Sequence, residues 1–236
     1  MAIGKRARRR RARFQPHGFH STTRNRAKGQ VKMSKSIYFG GSRSLVAGSP
    51  ASFTLAHVTH AALLAGHKIH VGCATGADQQ VISYVMQAYS GQFIGSLSVF
   101  AAFGPAGTFS GFGQSGLKFP ITKGFFSASA VEQVIAAFNA GVSVSWWAGG
   151  GEQVPLSARL IRRSVAGLVG TSAAVFFSPG AGSLAVASHA VSASIPVYAF
   201  SSSIPATPAG CAGQWVASSF AGFSCWQWSP AQLSLF

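Results

Sequence analysis

Between Ser36 and Phe200, short apolar, β-prone runs alternate with stretches of helical character. That alternation constrains the fold more than any other feature. Strands separated by a helix cannot pair as hairpins, so they are joined by crossovers and lie parallel. The strand runs are SIYF (36–39), KIHVG (68–72), LSVFAAF (97–103), VSVSWW (142–147), AAVFF (173–177) and PVYAF (196–200). Helices are predicted over 51–65, 78–90, 127–140, 155–169 and 183–193. Asp78 suits an N-cap or first-turn position, and Pro155 suits a first helical turn.

Six strands and five helices predict an α/β fold: a Rossmann-like, mostly parallel sheet with helices on both faces, over residues 34–200. With 236 residues and 48% apolar side chains, the chain has material for one good core. Gly, Ser, Pro and His interrupt every apolar run before it reaches the roughly 18 residues that span a bilayer, so no membrane partner is expected. Residues 104–126 form a glycine-rich excursion, read as a mobile loop or lid. Residues 201–236 are read as a Ser-, Pro-, Ala- and Gly-rich extension beyond the fold. Its Trp215, Trp226 and Trp228 are suited to packing on the sheet or to stacking on bases. Cys73, Cys211 and Cys225 are odd in number and lack metal-finger spacing, which fits a reducing, cytoplasmic setting. The pairs His57/His60 and His67/His70 have no carboxylate nearby, and no metal site is expected.

Charge divides the chain. Nineteen Lys and Arg face three acids, Asp78, Glu132 and Glu152, for a net charge of +16, and eleven of the nineteen lie in residues 1–32. This segment, with Arg8, Arg9, Arg10, Arg11 and Arg13 at its centre, has no acid and few aliphatics. Such a composition predicts a disordered basic arm over residues 1–33. An arm of this kind binds phosphate polyanions by counterion release. A targeting segment, or a start codon placed ahead of Met33, is the plainer alternative.

Three loops follow strands at the sheet's predicted carboxyl edge, where open α/β sheets bind ligands. They are GGSRS (40–44), GCATGAD (72–78) and SPGAGS (178–183). Glycine lets an anion approach backbone amides, and Ser42, Arg43, Thr75 and Ser183 add hydroxyls and a guanidinium. The candidate binding set is Gly40, Gly41, Ser42, Arg43, Thr75, Gly76, Asp78, Gly180, Gly182 and Ser183. Arg159 and Arg163 join it because Arg159 and either Arg162 or Arg163, three or four apart, can share one face of the predicted 155–169 helix. The plainer readings are tight turns for the loops and a solvated face for the helix.

Together, GGSRS, GCATGAD, RLIRRSVAGL, PGAGSL and PVYAF resemble the Rossmann-like superfamily that unites the DNA-processing protein A (DprA) family with the LOG phosphoribohydrolases. The resemblance covers roughly residues 35–200 and is nearer to DprA. Gly41, Ser42 and Arg43 match its first motif, and Gly72, Ala74, Gly76 and Asp78 its second. Arg163 with Ala166 to Leu168 matches the third, and Gly182, Ser183 and Leu184 the fourth. Thr75 stands where that family usually has arginine, and Ile161 replaces the first arginine of R-N-R. LOG enzymes follow their glycine loop with a catalytic glutamate, whereas this chain continues LAVASHAV. The resemblance therefore implies a nucleic-acid-binding protein, with single-stranded DNA as partner and no catalytic residue. A nucleotide-sensing module is the alternative, with a bound nucleotide as its ligand; a LOG-like hydrolase is the third. A homodimer is compatible with any of them. Finally, QLSLF (Gln232, Leu233, Ser234, Leu235, Phe236) resembles the peptide by which bacterial replication proteins dock on the polymerase sliding clamp, although an apolar terminus can also fold back.

Overall fold

The structure, a computed structural model, describes residues 35–105, 127–151 and 153–231. The basic arm, nearly all of the glycine-rich excursion, Glu152 and the QLSLF peptide lie outside the described residues.

Every predicted strand and helix is present. In order they are β1 (Ser36–Gly41), α1 (Pro50–Leu64), β2 (Lys68–Val71), α2 (Ala77–Gln87), β3 (Leu97–Phe100), α3 (Ala128–Asn139), β4 (Ser143–Ser145), α4 (Leu156–Leu168), β5 (Thr171–Phe177), α5 (Ala181–Ser192) and β6 (Val197–Phe200). Ser49 and Ser127 cap α1 and α3 by accepting the N–H groups of Ser52 and Ala130. Asp78 stands in the first turn of α2 behind the cap residue Gly76, and Pro155 immediately precedes α4. β3 and β4 are shorter than the apolar runs predict. Beyond Phe100 and Ser145 the two segments still exchange hydrogen bonds, Ala101 N–H to Ser145 O at 2.9 Å and Trp147 N–H to Phe103 O at 3.2 Å. Trp147 sits at φ 54°, which breaks the regular ladder.

The sheet continues past Phe200 in two strands that the sequence reading did not assign, β7 (Gly213–Phe220) and β8 (Phe223–Pro230). The strand order is β4-β3-β2-β1-β5-β6-β8-β7. β1 to β6 are parallel; β8 runs antiparallel to β6, and β7 to β8. Ala221 and Gly222, at φ 51° and 84°, turn the hairpin in two left-handed residues. Alanine in the place where Asn or Asp usually marks such a turn hid the signal.

β1 is central, and the chain builds outward on one side through β4 before crossing to the other at β5. Right-handed crossovers then place α1, α2 and α3 on one face and α4 and α5 on the other. The strand alternation serves both faces. Ile37, Phe39, Val71, Val99, Val175 and Phe177 pack with α1 to α3. Tyr38, Ala174, Phe176 and Ala199 pack with Leu168 of α4 and Val186 and Ala190 of α5. Trp215 and Trp228 join this second cluster edge to face, with ring centroids 5.3 Å apart, and Trp215 Nε1 donates to Ala206 O at 3.1 Å. Trp226 is partly buried against the same cluster, so all three tryptophans pack on the sheet. No helix among the described residues is long and apolar enough to cross a membrane.

Candidate functional site

Reversal of strand order between β1 and β5 leaves a crevice beyond their carboxyl ends, because the loops that follow them diverge to opposite faces. A cavity of about 630 Å³ opens there.

Its first wall is the loop after β1. Ser42 N–H bonds Phe177 O at 2.9 Å, and its hydroxyl meets that of Ser44 at 2.8 Å, leaving Arg43 and Ser44 exposed at the rim. Gly41 is required by packing: a Cβ there would run into the Phe177 carbonyl and would lie 2.8 Å from Cβ of Ala77.

The second loop supports the first. Gly76, at φ 82°, lies against the backbone carbonyls of Ser42 and Arg43, where any Cβ would collide. Ala77 N–H donates to Ser42 O at 3.0 Å. Only Ala74 and Asp78 of this loop and helix start reach the cavity; Thr75 and Gly76 do not line it.

The third loop brings the first turn of α5 to the opposite wall. Gly180 is its cap residue and makes no side-chain cap bond. The first amides of a helix have no partner within it, and Ala181, Gly182 and Ser183 of this first turn line the cavity. Ser183 Oγ donates to Gly41 O at 2.9 Å and ties this loop to the first. Unlike Gly41 and Gly76, Gly180 and Gly182 are not dictated by neighbours: a Cβ on either meets nothing within 4 Å. What a side chain there would occupy is open approach to the helix amides.

The floor combines apolar side chains with one ion pair. Tyr38, Leu160, Phe176 and Val186 surround Asp78 and Arg163. Arg163 Nη1 donates to Asp78 Oδ2 at 3.0 Å, and that oxygen also accepts Ala74 N–H at 3.1 Å. Asp78 thus orients its own loop through Ala74 and pairs with α4. Gly72 lies directly beneath, where a Cβ would overlap the guanidinium. Burial opposes the Arg163 charge, but Cys73, Asp78 and Tyr38 around it outweigh that and hold its pKa above the ordinary value. Burial, reinforced by Asp78, pushes the Tyr38 phenol up to about 12. Burial also raises the Cys73 thiol. At neutral pH the floor therefore holds a protonated phenol beside a compensated carboxylate and guanidinium, while the rim contributes the Arg43 cation and the amide end of α5.

Gly40, Gly41, Ser42, Arg43, Asp78, Arg163, Gly180, Gly182 and Ser183 of the predicted set all line this cavity. Arg159 does not. It is buried, donates from Nη1 to Ala102 O at 3.4 Å and from Nη2 to Val154 O at 3.0 Å, and lies with Cζ 5.3 Å from the Trp147 ring centre, so it fastens the loops after β3 and β4. Arg162, between the two, is exposed. Sequence reasoning missed Tyr38 and Phe176, although alternation along β1 and β5 puts both on one face. The histidines are engaged individually: His57 stacks on Phe223, His60 meets the Tyr84 hydroxyl at 3.0 Å, and His70 Nδ1 donates to Gly167 O at 2.8 Å. Among the described residues, no three of His, Cys, Asp and Glu gather to hold a metal.

Compared with known proteins, the chain matches no family model, and no curated protein is significantly similar to it.

Proposed function

We propose that this chain is a DprA-like protein that binds single-stranded nucleic acid, DNA in the first instance, by seating one phosphate-bearing nucleotide in the β1/β5 cavity, and that it breaks no bond. The observation that carries the reading is the pair Gly180 and Gly182. Internal packing leaves both free to be larger, yet they keep the amide end of α5 open opposite Arg43. Helix amides and a guanidinium favour a phosphate, and the half-buried Leu160 and Ile161 that line the cavity offer apolar contact to a base or sugar. The basic arm adds affinity without sequence readout. A reducing, cytoplasmic setting is part of this reading, in keeping with the unpaired Cys73, Cys211 and Cys225. So is docking of QLSLF on the sliding clamp, tested by clamp pull-down with and without that peptide; equal recovery ends it.

The cavity volume favours a second reading, a sensor of free nucleotide, because about 630 Å³ is the size of small-molecule pockets. Competition separates the two. A labelled single-stranded oligonucleotide is titrated onto the protein, then challenged with nucleoside monophosphate. Under the leading reading the oligonucleotide binds with salt-dependent affinity and high monophosphate displaces it only in part, since arm contacts persist. Tight monophosphate binding with no oligonucleotide affinity selects the sensor. Release of ribose phosphate from the monophosphate selects the LOG-like hydrolase.

A further inference from the structure

From Ser164 to Phe236 the chain contains no Asp, Glu, Lys or Arg. Its described part builds β5, α5, β6 and the β7–β8 hairpin, a contiguous half of the sheet. Protein surfaces ordinarily carry a substantial share of charged side chains. Here, the strands of half the sheet do without them. At its outer edge runs β7, eight residues long and in unbroken register with β8 from Gly213↔Pro230 to Phe220↔Phe223. Solitary edge strands are usually blunted by lysine, proline, a bulge or shortness. β7 has none of these, whereas the opposite edge, β4, has only three residues. Among the described residues, β7 makes no backbone hydrogen bond except to β8.

We propose that a second copy of this chain docks on β7, the two β7 strands pairing antiparallel about a two-fold axis so that the sheets become continuous. Symmetry sets identical surfaces against each other. In a chain of net charge +16, this edge lets two copies meet with no like charges set directly against each other across the axis. A foreign partner attracted by that charge would be acidic, and β7 offers it no cation.

Sedimentation velocity of the full chain over a range of concentrations tests this, with high salt to release nucleic acid. A dimer in reversible exchange is expected. The double variant Ala217→Lys, Ser219→Lys alters two exposed β7 positions. By placing like charges across the two-fold axis it should weaken association at least about tenfold, with the circular dichroism of the folded protein retained. Hydrogen exchange on the unaltered protein provides a second readout that needs no variant: β7 amides should gain protection as concentration rises. A wild-type monomer throughout, equal association by the lysine variant, or β7 protection independent of concentration would each overturn the proposal. So would a monomer that instead takes up an extended foreign peptide along β7.

Discussion

Asp78 and Arg163 are each other's ion-pair partners inside the protein, with side-chain exposures of 7% and 6%. Breaking such a pair leaves one charge buried and uncompensated. Asp78→Asn or Arg163→Ala should therefore cost about 3–5 kcal/mol in denaturant unfolding, whereas joint replacement by apolar residues should cost much less. Gly72→Ala should behave like the single variants, because its new methyl would displace the guanidinium. Tyr38 contributes to the alkaline pH dependence, beside the buried thiols of Cys73 and Cys225, which burial also raises. Its pKa is raised to about 12 in the folded protein, against an ordinary value of about 10. The folded state thus holds this proton more tightly than the unfolded state. The stability it contributes is complete below about pH 10 and is lost as pH rises toward 12. Unfolding measured across that range should show the decline, and Tyr38→Phe should make it shallower. At this scale the sequence was half legible. Arg43 and Gly182 were found from loop chemistry, but one helical face carries both Arg159 and Arg163, and spacing cannot tell the arginine that binds loop carbonyls from the one beside the cavity.

α5 begins where a ligand would need its amides. Gly182 lies in the first turn of this helix, where glycine is a poor helix former, and its missing side chain leaves space empty. Gly182→Ala should raise stability by up to about 1 kcal/mol while lowering nucleotide affinity severalfold. Thermal unfolding and a binding titration on the same sample read both. A glycine kept only for its turn would show no loss of affinity. The elements themselves were legible wherever propensity and tertiary packing agree: the apolar runs of β1 and β5 became strands buried on both faces of a parallel sheet. The β7–β8 hairpin was not legible. Its strands intersperse their aromatic residues with serine and glutamine, and the cross-strand Trp215 and Trp228 that anchor it declare themselves only when paired.

For the whole molecule, the account divides binding between two sources: an arm that supplies eleven of nineteen basic residues and a folded cavity that supplies geometry. The switch of strand order, and hence the cavity, could not be read from the chain, because alternation alone allows strands to be added on either side of β1. Deleting residues 1–33 should lower affinity for single-stranded DNA and flatten its salt dependence, since each phosphate contact contributes a slope of about −0.7 on single strands. The most direct measurement holds the arm constant. Fluorescence anisotropy of a labelled single-stranded oligonucleotide is followed against salt with the full chain and with its Arg43→Ala, Gly182→Val variant. The account predicts that the variant, folded and with its arm intact, binds at least about tenfold more weakly and that the deficit persists at high salt, where the arm is screened. Equal affinity at every salt concentration would contradict it, because binding would then owe nothing to the cavity.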